Sequence, residues 1–245
     1  MIIDQSIQSL IDKELLRVNA EKEAKHEPSG RLSASTLWQP VLFQVYKTIG
    51  VPRKPMEAYV LGKFKRGDDC EDWFVAQMKA NGLLLDQQVR VMYRECVGFV
   101  DALVDSDKML FKKGPLPHEI KSVTNMKLKK IARDGEVDYH YQMQACFYAM
   151  ALNAPYYAVD IISAEDLRTN VYIFETEKMR LEVDNAITRY ENAMKNWKEK
   201  KILPKFEPNP HVAWSANLLY APYTPDWIES DTATIMKKLE ELKLV

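Results

Sequence analysis

Cysteine is scarce in this 245-residue chain, and the three that occur, Cys70, Cys96 and Cys146, lie far apart. Their spacing provides neither a disulfide framework nor a paired-cysteine metal site. It fits small core residues in a reducing compartment. Also missing is any apolar run of membrane-spanning length. The amino terminus, MIIDQSIQSLIDKELLRVNAEKEAK, reads as an amphipathic helix of mixed charge and not as a signal peptide. A soluble, cytoplasmic protein is expected. Charge of one sign is lacking too: the net value is −1, so no global basicity advertises a polyanionic partner. There is no internal repeat and no low-complexity stretch.

What is present suffices for one substantial core, since 47% of the residues are hydrophobic. Apolar periodicity predicts a helix over 4–25, then a linker, HEPSGRLSAS, ending in Ser33 or Ser35 as cap of a helix through Tyr46. GVPRKP breaks the chain, and a helical region follows over 56–81, interrupted at Gly67. Three strands come in close succession at 88–94, 97–104 and 116–123, so antiparallel neighbours are expected. Helices over 124–133 and 138–152, strands over 155–162 and 170–176, and a long helix over 177–201 complete the regular part. Residues 202–230, rich in proline and aromatics, read as an ordered loop before a last helix over 231–243. The order gives an α/β fold, a mixed central sheet flanked by helices.

Against that apolar pattern, three charges stand out. Asp101 lies in CVGFVDALVD, and Glu119 and Lys121 lie in LPHEIKSV, both apolar strands. Side chains alternate along a strand, so Glu119 and Lys121 project together while His118, Ile120 and Ser122 point the other way. If the strands pair, two carboxylates and an ammonium meet on one surface. Two carboxylates can hold a hard divalent cation, and the lysine can orient a water or neutralise phosphate charge. The alternative is a structural ion pair. Glu-x-Lys also occurs at Glu23/Lys25, Glu199/Lys201 and Glu241/Lys243, but there in polar helical stretches. In an apolar strand such charges are costly unless paired or bound to metal.

Between Lys108 and Arg133 lie eight basic residues, Lys112, Lys113, Lys127, Lys129, Lys130 and Arg133 among them, and one acid, Glu119. That local excess suits a polyanion, though a solvated lysine-rich surface would look the same. Two helices carry polar residues in apolar stripes. Glu71 falls among Cys70, Phe74, Val75 and Met78, and Gln144 falls among Tyr141, Ala145, Tyr148 and Leu152.

The series Gly67…Glu71, Gly98-x-x-Asp101, Glu119-x-Lys121 and Gln144-x-x-x-Tyr148 resembles the PD-(D/E)XK nucleases, in particular the RecB-like branch that includes phage exonucleases and the CRISPR adaptation nucleases. RLSASTL at 31–37 also resembles the start of such domains. The resemblance covers about 31–210 and implies a restriction-endonuclease-like core. Residues 1–30 would then be a leading helix and linker, and 211–245 a trailing loop and helix, all one nuclease domain. It implies Asp101, Glu119 and Glu71 as ligands of Mg²⁺ or Mn²⁺, with the backbone carbonyl of Ile120. Lys121 would position the attacking water, and Gln144 and Tyr148 would contact the lysine or the scissile strand. Gln142 with Cys146 is a rival register for that last pair.

The substrate implied is DNA with a free end, single- or double-stranded, with recombination proteins or a homo-oligomer as further partners. An inactive nucleic-acid-binding member of the fold and a structure-specific endonuclease are the alternatives. Many relatives hold an iron–sulfur cluster through four cysteines; here LWQPV and KFEPNPHVAWSANLLYAPY stand at those places, and neither contains cysteine. Trp38, Trp214 and Tyr220 are expected to clamp the two ends in its stead.

Overall fold

One strand, Cys96–Asp105, organises the sheet. In the computed structural model, which describes residues 6–25, 30–109, 114–212 and 221–244, it is the third of six strands. In chain order the elements are α1 (Ser6–Lys25), β1 (Leu32–Ser33), α2 (Val41–Ile49), α3 (Ala58–Ala80), β2 (Leu84–Tyr93) and β3 (Cys96–Asp105). They continue with β4 (Pro115–Val123), α4 (Asn125–Asp134), α5 (Tyr139–Leu152), β5 (Tyr156–Ser163), β6 (Thr169–Glu175) and α6 (Glu177–Lys200). A single turn, α7 (Pro225–Ile228), and α8 (Thr232–Glu241) follow. The expected mixed α/β architecture is the one observed. No helix among the described residues is long and apolar enough to cross a membrane.

β2 runs antiparallel along β3 from end to end. The other edge of β3 is shared. Its beginning pairs in parallel with β1 (Leu32 with Cys96, Ser33 with Val97), and its end pairs antiparallel with β4 (Ala102 with His118 through Asp105 with Pro115). Between Val97 and Ala102 that edge has neither partner, and Asp101 stands in the gap. β4 then pairs in parallel with β5, and β5 antiparallel with β6.

Helices cover both faces. α5 is apolar almost all round because it lies between the sheet and α6: Ala145, Cys146, Phe147, Tyr148, Ala149 and Met150 are all buried. Asn153 ends it in the left-handed conformation, φ 54°, which asparagine tolerates well. On the opposite face α3 packs Cys70, Phe74 and Met78 against Ala102, Val104, Ile120 and Ile162. Val100 belongs to the larger core and Ala102 to this smaller one. Residues two apart in a regular strand share a face, so β3 rolls at Asp101.

Three local expectations are corrected. Gly67 does not interrupt its helix: α3 is continuous, since packing along the stripe outweighs the cost of about 1 kcal/mol for a helical glycine. A Cβ at Gly67 would lie 3.5 Å from Ser122 Oγ, an ordinary contact, so an alanine would fit there. Neither Ser33 nor Ser35 caps a helix reaching Tyr46. Leu32–Ser33 joins the sheet with Leu32 buried, a 3₁₀ turn spans Ala34–Thr36, and α2 starts after Pro40, whose fixed φ suits a helix entry. Within 202–230, Pro225–Ile228 is helical.

Candidate active site

The gap in the β3 edge is filled by a side chain. Where the β3–β4 ladder would continue beyond Ala102, Asp101 Oδ2 accepts a hydrogen bond of 2.7 Å from the backbone N–H of Ile120. β4 therefore stays tied to β3 while the strands part, and the carboxylates of Asp101 and Glu119 are left between them. Asp101 is 9% exposed and Glu119 fully buried. Lys121, on the Glu119 face of β4, forms an ion pair with Glu119 Oε1. The Tyr141 ring of α5 lies over the same ammonium, 5.7 Å from Nζ to its centroid, and over that of Lys127 at 5.3 Å.

α5 supplies the roof. Tyr148 Oη accepts from Gln144 Nε2 at 2.7 Å and lies within reach of Glu119. Gly98 makes this possible: a Cβ there would sit 2.6 Å from Tyr148 Cε1 and 2.8 Å from Ala34 Cβ. The rival pair faces elsewhere. Gln142 Nε2 donates to the Val137 carbonyl at 2.8 Å, and Cys146 Sγ to the Thr176 carbonyl at 3.5 Å.

From the other side, Glu71 on α3 accepts at Oε1 from Gln88 Nε2, 2.7 Å. Its carboxyl is pushed up to about 7 by burial and by the Asp101 charge, with the Gln88 hydrogen bond and Lys121 opposing. Asp101 is pushed up to about 8 by burial and the Glu119 charge, against the pull of Lys121 and the Ile120 N–H. Burial also raises Glu119, against the pull of Lys121. For Lys121 burial works downward, but the Glu119 and Asp101 carboxylates outweigh it and the ammonium is held well above its ordinary value. Three carboxyls thus share one cation.

No three His, Cys, Asp or Glu side chains among the described residues stand close enough, as arranged, to enclose a metal ion. The donor set nonetheless fits one. Both Glu119 oxygens are buried and, among the described residues, accept no hydrogen bond of ordinary geometry, although Lys121 presses on one of them and Tyr148 lies within reach. Oxygen donors with surplus negative charge suit a hard divalent cation such as Mg²⁺ or Mn²⁺. Ile120, expected as a ligand through its carbonyl, contributes its N–H to Asp101.

A cleft of about 540 Å³ opens from this centre, with Gln88, Gly98, Asp101, Gln144 and Tyr148 along it. Its farther walls carry Arg31, Ser33, Ser35, Lys47, Arg53 and Phe99, whose ring is 48% exposed. These cations are scattered singly in the sequence, and no local cluster pointed to them. Of the basic stretch between Lys108 and Arg133, Lys112 and Lys113 lie outside the described residues. Lys127 is bound to Asp138 at 2.5 Å and Arg133 to Asp134 at 2.6 Å, while Lys129 and Lys130 are exposed on α4.

Sequence reasoning also missed Gln88, which no local pattern marked, and a buried pair beneath the site. His118 Nδ1 and Asp160 Oδ2 are 2.7 Å apart on the α3 face, both fully buried, and among the described residues His118 Nε2 and Asp160 Oδ1 have no hydrogen-bond partner. Of the expected aromatic clamp, Trp214 and Tyr220 fall outside the described residues. Trp38 packs on His140, centroids 5.3 Å apart, and its carbonyl accepts from Asn209 Nδ2 at 2.7 Å.

No protein-family model matches the chain, and no curated protein matches it. Solved structures do. One is an alkaline exonuclease from Laribacter hongkongensis, 13% identical with a TM-score of 0.47, covering 77% of this chain and 97% of that one. Another, a phage-related exonuclease from Haemophilus somnus, is 15% identical with a TM-score of 0.40, over 68% and 96%. A third, SSO0001, is 15% identical with a TM-score of 0.50, over 78% and 90%. At such identities the likeness is one of fold. What the chain shares with SSO0001 is an α/β fold, here a mixed central sheet flanked by helices.

Proposed function

We propose that this chain is a metal-dependent deoxyribonuclease, an exonuclease that hydrolyses phosphodiester bonds in DNA processing, recombination or repair. The observation that carries the reading is the meeting of Asp101, Glu119 and Lys121 where β3 and β4 part, with both carboxylates buried and Asp101 lining a cleft with cationic walls. A structural ion pair would need one carboxylate; here three compete for one ammonium, an arrangement that costs stability unless a cation joins them.

Asp101 and Glu119 would hold Mg²⁺ or Mn²⁺, with Glu71 and the Ile120 carbonyl completing the set. A divalent cation supplies Lewis acidity toward a phosphoryl oxygen and lowers the pKa of a bound water. The chain's own groups do the rest. Lys121, held protonated by its carboxylate neighbours, provides a fixed positive charge beside the reacting phosphate and orients the attacking water. Tyr148, whose phenol burial keeps from ionising, braces Glu119 and holds Gln144 toward the cleft. Arg31, Lys47 and Arg53 attract the phosphate backbone from the cleft walls, and the basic residues of the 108–133 stretch, Lys112, Lys113, Lys129 and Lys130 among them, add to that attraction. Phe99 offers an exposed ring against which a base can stack. Attack by water requires no covalent intermediate.

End-directed action is preferred because the described elements all belong to one sheet-and-helix core, with none set apart for reading a sequence. End-labelled linear DNA and covalently closed circles, incubated with Mg²⁺, Mn²⁺ or chelator, test the proposal. Linear DNA should be degraded only with metal and circles should resist. Undiminished cleavage in excess chelator would exclude the mechanism, and cutting of circles at discrete sites would replace the exonuclease with an endonuclease.

A further inference from the structure

The β2–β3 ladder pairs Gln87 with Ala102 and Val89 with Val100, which sets Gln88 opposite Asp101. At that position the backbone departs from a strand: Gln88 has φ 51°, in the left-handed region that glycine, asparagine and aspartate favour. No turn requires it, because β2 continues on both sides, Leu84–Tyr93. Strained residues of this kind persist where their surroundings hold them and gather at functional sites. The strain here coincides with the roll of β3 and with the gap in its other edge, all at the level of Asp101.

The left-handed residue aims the Gln88 side chain, and its Nε2 donates to Glu71 Oε1 at 2.7 Å, bridging β2 and α3. Among the described residues this is the hydrogen bond that Glu71 receives. The Asp101 charge disfavours the ionised Glu71 carboxylate, and the Gln88 hydrogen bond opposes that effect. An amide suits the task better than a lysine or arginine would. It fixes the carboxylate's direction with a neutral donor and leaves the negative charge free for a cation. Gln88 also lines the cleft beside Asp101.

We infer that Gln88 is a positioning residue: its strained backbone aims an amide that holds Glu71 toward Asp101 as a third carboxylate for a divalent cation. The inference rests on the metal-dependent reading above and adds a role for the left-handed backbone at one residue. In a residue that is merely structural, losing a hydrogen bond weakens the fold. In a residue strained for the sake of a site, glycine should relieve the fold and damage the site.

The test is a double-mutant cycle of Gln88→Gly and Glu71→Ala, read by calorimetric titration with Mn²⁺ and by thermal melting in chelator. Gln88→Gly should melt at or above the wild-type temperature yet bind Mn²⁺ about 10- to 100-fold more weakly, the usual loss when a ligand's orienting partner is removed. In the Glu71→Ala background the same change should produce no further loss, since its action runs through that carboxylate. Wild-type Mn²⁺ affinity in Gln88→Gly, or a loss that adds in full to that of Glu71→Ala, would overturn the inference and leave the nuclease reading standing. A wild-type protein that binds no Mn²⁺ would overturn both.

Discussion

Gly98→Ala puts one methyl group into the packing on which the roof of the site depends. The added Cβ would meet Tyr148 Cε1 at 2.6 Å, Ala34 Cβ at 2.8 Å and Phe147 Cε1 at 3.2 Å. Carbon atoms pack at about 3.5–4.0 Å, so the Tyr148 ring has to retreat by about 1 Å. Any retreat disturbs close packing, because Tyr148, Phe147 and Ala34 are 2%, 0% and 1% exposed. Overpacking of this kind costs about 1–3 kcal/mol, and in a chain of this size each kcal/mol lowers Tm by about 2–4 °C. A fall of about 2–12 °C is expected. The same shift disturbs the 2.7 Å hydrogen bond of Gln144 with Tyr148 and the bracing of Glu119. A misplacement of about 1 Å beside reacting groups costs about 10²-fold in turnover. Thermal melting and degradation of end-labelled linear DNA check the two parts. A variant that melts within about 1 °C of wild type would refute the packing of α5 on β3.

Asp101→Asn should abolish cleavage while stabilising the metal-free protein at high pH. Burial and the Glu119 charge raise the Asp101 carboxyl to about 8, so folding favours its protonated form. That contribution is complete below the ordinary carboxylate range and is lost as pH rises toward 8. Wild-type Tm in chelator should accordingly fall between about pH 4 and pH 8, and fall less in the variant; equal slopes would contradict the assignment. Replacing Lys129 and Lys130 with alanine should lower the salt slope of DNA binding by about one for each phosphate these lysines neutralise, with turnover at saturating DNA unchanged. An unaltered slope would confine phosphate binding to the cleft.

The centre of the site was legible because charge in an apolar strand is costly and therefore conspicuous. Asp101, Glu119 and Lys121 could be picked out without any knowledge of pairing. The alternation of β4 also separated His118 and Ile120 from Glu119 correctly. Less legible was whatever depends on distant partners. The parallel pairing of β1 with β3 joins residues far apart in sequence, and a two-residue strand leaves no periodic trace. Gly67 reads as a break in isolation, and only the packing of α3 makes it tolerable. The left-handed backbone of Gln88 is imposed by its neighbours in space, since glutamine has no preference for it. Arg31, Lys47 and Arg53 converge through the turn and helix between β1 and α3, a convergence that spacing cannot reveal.

The measurement that tests the central claim most directly is the rate at which Lys121→Ala degrades linear DNA in Mg²⁺, beside its calorimetric titration with Mn²⁺. An ammonium cannot ligate a cation, so the variant should bind Mn²⁺ at least as well as wild type. Loss of one fixed charge at the reacting phosphate should lower turnover on the order of 10²–10³-fold. Near-normal cleavage by Lys121→Ala would make Glu119 and Lys121 a structural ion pair, and the assignment of this centre to phosphodiester hydrolysis would fall.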